Sequence, residues 1–432
     1  MTSVAAVTRI GPGSYRWLAA IVLAALIARV GIVIAADLNP ARFDYPDSHR
    51  YVRVARHIAA GDGPIDSGQE VAPGAFGTVY SGTDPAYPTV LALGALLGVS
   101  HGDGSDRDGL MRFGRIVNVL FGTAAVALLG ILAGRLIDGT TGLIAAAILA
   151  LDPITIFFHG LVLTETCYVT FLLAGLYALS RADGRRAAIW AAISGGALGV
   201  ATLTRSSALL LPFVLLPLLW LRAGSSTRRR GVLSIAFLSA HCLLLLPTVT
   251  RNHALLGHFI PVRTGSGASL LEALGPWADG GPGMDRIEYP PFPSGADEYE
   301  RDRISRNAAL EWTRSNPRRA LALAWTKLRR TWSVEINAPG YSSGLYVAIG
   351  WLTVAPVFAC AAAGAWTLRK RPWTLAFLLA PAVYFTLLHM VFVGSIRYRL
   401  PAMPCLFVLA AVAIHAARRR LFQVRCPETR PD

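Results

Sequence analysis

Apolar residues run through this chain in stretches of about twenty, separated by short polar joints, and a run of that length crosses the roughly 30 Å hydrocarbon of a bilayer as one helix. Spans are predicted on that measure at 17–36, 113–135, 141–157, 160–180, 187–203, 206–221, 231–251, 343–366, 373–393 and 397–417. Two stretches test the count. Tyr87 to Val99 is apolar but about half the needed length and holds Gly94 and Gly98, so it is placed on or dipping into the outer leaflet. The run 187–221 is too long instead, because one helix of that length would reach about 50 Å. It is expected to go out and return, turning near Thr204 to Ser206. The first run follows Arg9 and Arg16 and is read as a retained span rather than a signal peptide.

Two polar segments interrupt the apolar pattern. The first, 37–112, contains FDYPDSHRYVRVARHI and SGTDPAYP. The second begins Gly/Pro-rich and ends in two predicted helices, 297–315 and 317–334, parted by Asn316-Pro317. The latter spaces Leu321, Trp325, Leu328 and Trp332 on one face, the pattern of a helix lying at the interface. The predicted architecture is an all-α polytopic membrane protein with a bundle of about ten transmembrane helices and outer juxtamembrane helices. Its parts are 1–36, a first outer loop 37–112, a six-span core 113–251, a second outer segment 252–342, three spans 343–417 and a basic tail 418–432.

Composition sharpens this reading. With 53% hydrophobic residues, 16% charged residues and a mean hydropathy of +0.47, the chain is too apolar for a soluble domain. A net charge of +15 invites a nucleic-acid reading, but the arginines sit in short joints such as Arg228 to Arg230, Arg369 to Arg371 and Arg418 to Arg420. That is the positive-inside bias, so no nucleic acid is expected as partner; the chain is placed in the plasma membrane, with both termini cytoplasmic and both large segments outside. Cys167, Cys242, Cys360 and Cys405 lie in apolar runs and Cys426 in the tail, without the spacing of a zinc site or a disulfide framework.

Candidate chemistry starts at 43–58. Read as a helix from Pro46, this stretch puts Asp47, Tyr51, Val54 and Ile58 on one stripe and Arg50, Arg53, Arg56 and His57 on the other side. A carboxylate heading an apolar row needs a partner or a task if the row faces the membrane. The structural alternative is a favourable charge in the first turn. Under the predicted topology Asp44, Asp47, Glu165, Arg205, Arg251, Arg397 and Arg399 all fall at the same membrane face. Glu165 is placed about a turn and a half inside its span, where it needs a cation; an ion pair with Arg205 that only pins two helices is the bland reading. For Arg397 and Arg399 the bland reading is interfacial anchoring, with Tyr398 between them. A single ligand, a phosphate on a polyprenyl chain, accounts for several of these charges together, because guanidinium groups suit phosphate oxygens and the apolar tail can lie between helices. A carboxylate nearby then serves proton transfer.

These features resemble the GT-C superfamily of lipid-linked-sugar glycosyltransferases, in particular bacterial members related to protein O-mannosyltransferases and aminoarabinose transferases. The resemblance rests on Asp47-Ser-His-Arg-Tyr51 after the first span, Asp84-Pro-Ala-Tyr87-Pro88, GALGVATLTR ending at Arg205, PVRTGSG, and RYRLP before the last span. It implies transfer of a sugar, with inversion, from a polyprenyl-phosphate donor to a glycan, lipid or protein hydroxyl at the outer face. It further implies Asp47 as general base with Asp44 in reserve, Arg205, Arg397 and Arg399 at the donor phosphate, and Glu165, Tyr51, Tyr87, Tyr398 and Arg251 around the substrate. No nucleotide is needed and no cofactor is assigned. The Asp-Glu pair of many relatives is missing, since Ser48 follows Asp47, and a divalent cation is left open. The rival from another class is a transporter or flippase of lipid-linked sugars, which would show internal repeats and midplane charges. Here the charges gather at the outer ends of the spans.

Overall fold

A computed structural model describes residues 12–72, 75–99, 109–336 and 343–425. Arg9, Cys426 and residues 73–74 lie outside the described residues. The protein is built from helices α1 (Pro12–Leu38), α2 (Pro46–Ala60), α3 (Ala86–Leu96), α4 (Gly109–Leu136), α5 (Gly139–Leu151), α6 (Pro153–Gly160), α7 (Glu165–Ser180), α8 (Ala187–Thr204), α9 (Leu211–Ala223) and α10 (Thr227–Leu256). The chain continues through α11 (Ser266–Ala273), α12 (Glu298–Ser315), α13 (Pro317–Thr331), α14 (Gly344–Thr367), α15 (Pro372–Val391) and α16 (Met403–Arg425). A short antiparallel hairpin, β1 (Asp66–Ala72) and β2 (Ala75–Val79), adds to the helical expectation, with Asp66 opposite Val79.

Among the described residues seven helices are long and apolar enough to cross a membrane, and the bent pair α5 and α6 makes an eighth if taken as one span. With the short apolar α7, and with α16, whose apolar run ends at Arg418, this agrees with the expectation of about ten. The predicted span 141–157 is corrected to this pair, bent by 53°. The cause is local. Pro153 has no N–H to continue the ladder, and Asp152 caps the new helix through Thr155 N at 2.8 Å. The carbonyls left open at the end of α5 are met by Arg29 of α1, which donates to Leu149 and Ala150. The long run 187–221 does divide, at Arg205, into α8 and α9.

The core is an apolar cluster to which α1, α4, α5, α7, α8, α9, α10, α14, α15 and α16 contribute, with close approaches where a side chain is missing. A Cβ on Gly195 of α8 would lie 1.9 Å from the Phe237 carbonyl of α10, and one on Gly364 of α14 would lie 1.8 Å from that of Leu409 on α16. A second cluster unites α2 and α3 with the start of α4 and of α7 through Tyr51, Val52, Tyr87, Leu91, Leu110 and Cys167. The stripe of α2 is therefore covered by protein, not by lipid: α3 supplies the cover. A third cluster joins α11, α12 and α13 to Val393. Of the predicted apolar face of α13, Leu321 and Trp325 stay exposed, whereas Trp332, just past the helix end, packs on the core and donates to Thr386 Oγ1 at 2.9 Å.

Candidate active site

Four loops bring the charged groups together. Pro46 sets the first turn of α2 and places Asp47 there, with Arg50 one turn on, its Nη2 donating to Asp47 Oδ1 at 2.8 Å. After α6 the chain runs irregularly to Thr164, so Glu165 is the first residue of α7. That corrects the predicted depth: the carboxylate stands at a helix N-terminus, where a negative charge is favoured, and not within the span. Arg205 sits in an extended conformation between α8 and the following 3-10 turn, Ser206–Ala208. Arg397 is carried by a second 3-10 turn, Ile396–Arg399, between α15 and α16.

The four groups form one network. Arg397 Nη1 donates to Asp47 Oδ2 at 3.0 Å, and its Nε donates to Glu165 Oε1. The same Glu165 oxygen accepts from Arg205 Nη1 at 2.6 Å, and Thr164 Oγ1 accepts from it at 3.1 Å. Residues up to 350 positions apart thus meet within hydrogen-bond reach. Burial pushes the Asp47 carboxyl up, but Arg397 and Arg50 outweigh it and hold the group below the usual carboxylate range. Asp47 is ionised and aimed.

Aromatic rings frame this network. The Tyr45 ring lies 5.2 Å from the Arg397 guanidinium, and the Tyr398 ring lies 5.8 Å from that of Arg205. Tyr398 stacks on His389 with ring centroids 4.3 Å apart. Tyr51 packs edge-on against Tyr87, whose hydroxyl is directed to Asn118 at 3.2 Å, so Tyr87 supports Tyr51 from behind. Asp44 lines the same cleft, is bonded to His49 at 2.5 Å and stays outside the network.

Two expected residues stand elsewhere. Arg399 is 1% exposed and donates to the carbonyls of Thr331 and Ser333. A 3-10 turn has about three residues per turn, so positions two apart point to different sides, and only Arg397 faces the cleft. Arg251 donates to the Tyr80 carbonyl at 2.9 Å and ties the end of α10 to the loop before α3.

The structure also adds residues that were not singled out. Asp84, whose carboxyl is raised by burial, accepts from Ser206 N at 3.1 Å and lies 3.7 Å from Arg263. Arg263 in turn donates to the Gly82 carbonyl at 3.0 Å, so loops 80–84, 205–208 and 262–264 are stitched into one wall. The sequence signal was present, an aspartate immediately before a Pro-started helix in SGTDPAYP and an arginine in PVRTGSG. Its importance depends on a contact 122 positions away.

Asp47, Tyr51, Asp84, Arg205, Arg263 and Arg397 line a cavity of about 2920 Å³, and Glu165 lies just behind it. Its lining includes apolar residues, among them Ile32 of α1, Phe157 and Phe158 of α6 and Ile349 of α14, together with charged residues of α11 and α12. Among the described residues no group of three or more His, Cys, Asp and Glu side chains is placed to hold a metal ion. Asp47 has both oxygens on guanidinium groups, and that donor set does not fit a divalent cation. An arginine pair between carboxylates, beside an apolar slot, can instead hold a phosphate on a lipid and take a proton next to it.

The fold resembles that of solved archaeal oligosaccharyltransferase structures. A family model described as dolichyl-phosphate-mannose-protein mannosyltransferase matches residues 109–250, from α4 to α10. Among solved structures, the apo oligosaccharyltransferase of Archaeoglobus fulgidus superposes with a TM-score of 0.59 at 12% identity, covering 96% of this chain and 53% of that one. The oligosaccharyltransferase AglB of the same organism, in complex with an inhibitory peptide and a dolichol-phosphate, gives 0.59 at 13% identity, covering 98% and 53%. ArnT of Cupriavidus metallidurans bound to undecaprenyl phosphate reaches a TM-score of only 0.39 at 16% identity, covering 95% and 79%, and lends no weight. The chain spans about half the length of the archaeal structures it matches. Among curated protein sequences none matches it.

Proposed function

We propose that the protein is an integral-membrane glycosyltransferase that moves a sugar from a polyprenyl-phosphate-linked donor to an acceptor hydroxyl on a glycan, lipid or protein at the outer face of the plasma membrane. The observation that carries this reading is the Asp47, Arg397, Glu165 and Arg205 network, three of whose members line a cavity that apolar side chains also line. The similarity of 109–250 to a family that uses a dolichyl-phosphate sugar supports the donor class, as does the dolichol-phosphate of the archaeal relative.

In this mechanism the polyprenyl tail lies along these apolar side chains and the phosphate meets Arg205 and Arg397. The acceptor oxygen attacks the anomeric carbon from the side opposite the phosphate while the bond from that carbon to the phosphate oxygen breaks. The acceptor proton passes to Asp47, and the electron pair of the broken bond goes to the phosphate, which the guanidinium groups stabilise. A carboxylate held ionised by arginines is a weak base at the start. It serves because the attacking hydroxyl becomes acidic only as the new bond forms. Asp44, at the cleft wall but outside the network, is the reserve base.

Purified protein with a polyprenyl-phosphate sugar and acceptor membranes tests the proposal directly. Release of free polyprenyl phosphate with a matching glycosylated product supports it. Movement of intact donor between leaflets of a proteoliposome, with no bond cleaved, points to the transporter.

A further inference from the structure

One carboxylate oxygen in the site carries more than its share. Glu165 Oε1 accepts from both Arg205 and Arg397, whereas Oε2 is buried and has no partner. The side chain is 3% exposed, and leaving a buried carboxylate oxygen unpaired is costly. Behind it lies a small cavity of about 20 Å³, lined also by His159 and Thr166, whose Nδ1 and Oγ1 likewise have no partner. That space accommodates one water among polar groups. It offers Glu165 an alternative to the arginines on its far side.

Charge shows why such an alternative matters. Arg50, Arg205 and Arg397 face Asp47 and Glu165, three positive charges against two negative. A sugar donor is a phosphodiester with one negative charge, and it neutralises the site. Its product is a phosphomonoester of charge about −1.5 to −2 at neutral pH, so arginines that bind the donor well bind the product better. An enzyme with such a site is slowed by its own product unless something opposes that gain.

We infer that Glu165 sets the phosphate affinity of the arginine pair by competing for the same guanidinium N–H groups, so that the spent lipid phosphate is released. This inference rests on the lipid-phosphate reading given above. Glu165 is on this account neither base nor mere anchor. It returns to Arg205 and Arg397 as the phosphate departs, and its far oxygen keeps a polar neighbour while the phosphate is bound.

Detergent-purified protein titrated with farnesyl phosphate, followed by calorimetry, decides the matter. Glu165→Gln is expected to bind it about tenfold more tightly than the wild type, Arg397→Ala at least tenfold more weakly, and uncharged farnesol equally in all three. Unchanged or weaker binding by Glu165→Gln, with Arg397→Ala still impaired, overturns the competition and leaves the donor reading standing. Binding that ignores Arg397 overturns both. A second measurement needs no variant: the wild type is expected to bind farnesyl phosphate and its methyl diester within about threefold of each other. A monoester held tenfold more tightly than the diester overturns the inference as well.

Discussion

The two ends of α7 carry nearly the same arrangement with different consequences. At its start Glu165 is gripped by Arg205 and Arg397. Just past its other end, about 24 Å away along a helix of 16 residues, Asp183 is gripped by Arg135 at 2.9 Å and Arg222 at 2.6 Å. Each is one carboxylate between two guanidinium groups. Asp183 is 46% exposed, Arg135 also caps the Ser180 carbonyl, and Arg222 lies 4.0 Å over the Trp373 ring, so every member has water or a local partner to fall back on. Glu165 is 3% exposed, and its two arginines, Arg205 and Arg397, line the large cavity. Composition does not separate a structural pair from a working one. Burial and an adjoining cleft do.

The sharpest way to break this comparison is at Asp47. Asp47→Asn keeps shape and removes the proton acceptor, and turnover of a purified lipid-phosphate sugar is expected to fall at least a hundredfold, the lower range for a general base. Asp44→Asn is expected to cost only a few-fold, and a reversal of these two results in the same assay would move the base to Asp44.

Next in size is the arginine that joins the two carboxylates. Arg397→Ala leaves Asp47 and Glu165 without their shared partner, which costs about 3–5 kcal/mol in comparable buried pairs. A markedly lower melting temperature in detergent, together with weaker donor binding, is the expected outcome. Arg205→Ala weakens donor binding in the same direction.

A smaller effect lies behind the loop that carries Arg397. Lys327 donates to the Val391 carbonyl at 2.7 Å, and burial lowers its ammonium from 10.5 to about 8. Between those values the unfolded chain holds a proton that the folded chain has released, so stability rises with pH across that window. Melting temperature is expected to increase from about pH 8 toward 10, and Lys327→Met to flatten that slope.

The smallest effect belongs to the far end of α7. Asp183→Asn should change stability by about 0–1 kcal/mol, as exposed pairs do, and leave turnover within about twofold. A loss there as large as that expected for Arg397→Ala would erase the distinction between the two ends.

The chain alone determined the membrane character, the two large polar segments and the short α3, because an apolar run must match the thickness of a bilayer. It also pointed to Asp47, Glu165, Arg205 and Arg397, since charges near membrane depth stand out against an apolar background. What it left open was direction and contact. Arg397 and Arg399 read alike in RYRLP until the turn faced one into the cleft and the other into the carbonyls of Thr331 and Ser333. Asp84 and Arg263 gained their place only when three loops met, and the bend at Asp152-Pro153 moved Glu165 to a helix start. Periodicity and hydropathy are properties of neighbours along the chain, whereas which side chains face one another across a cavity is set by how the helices pack.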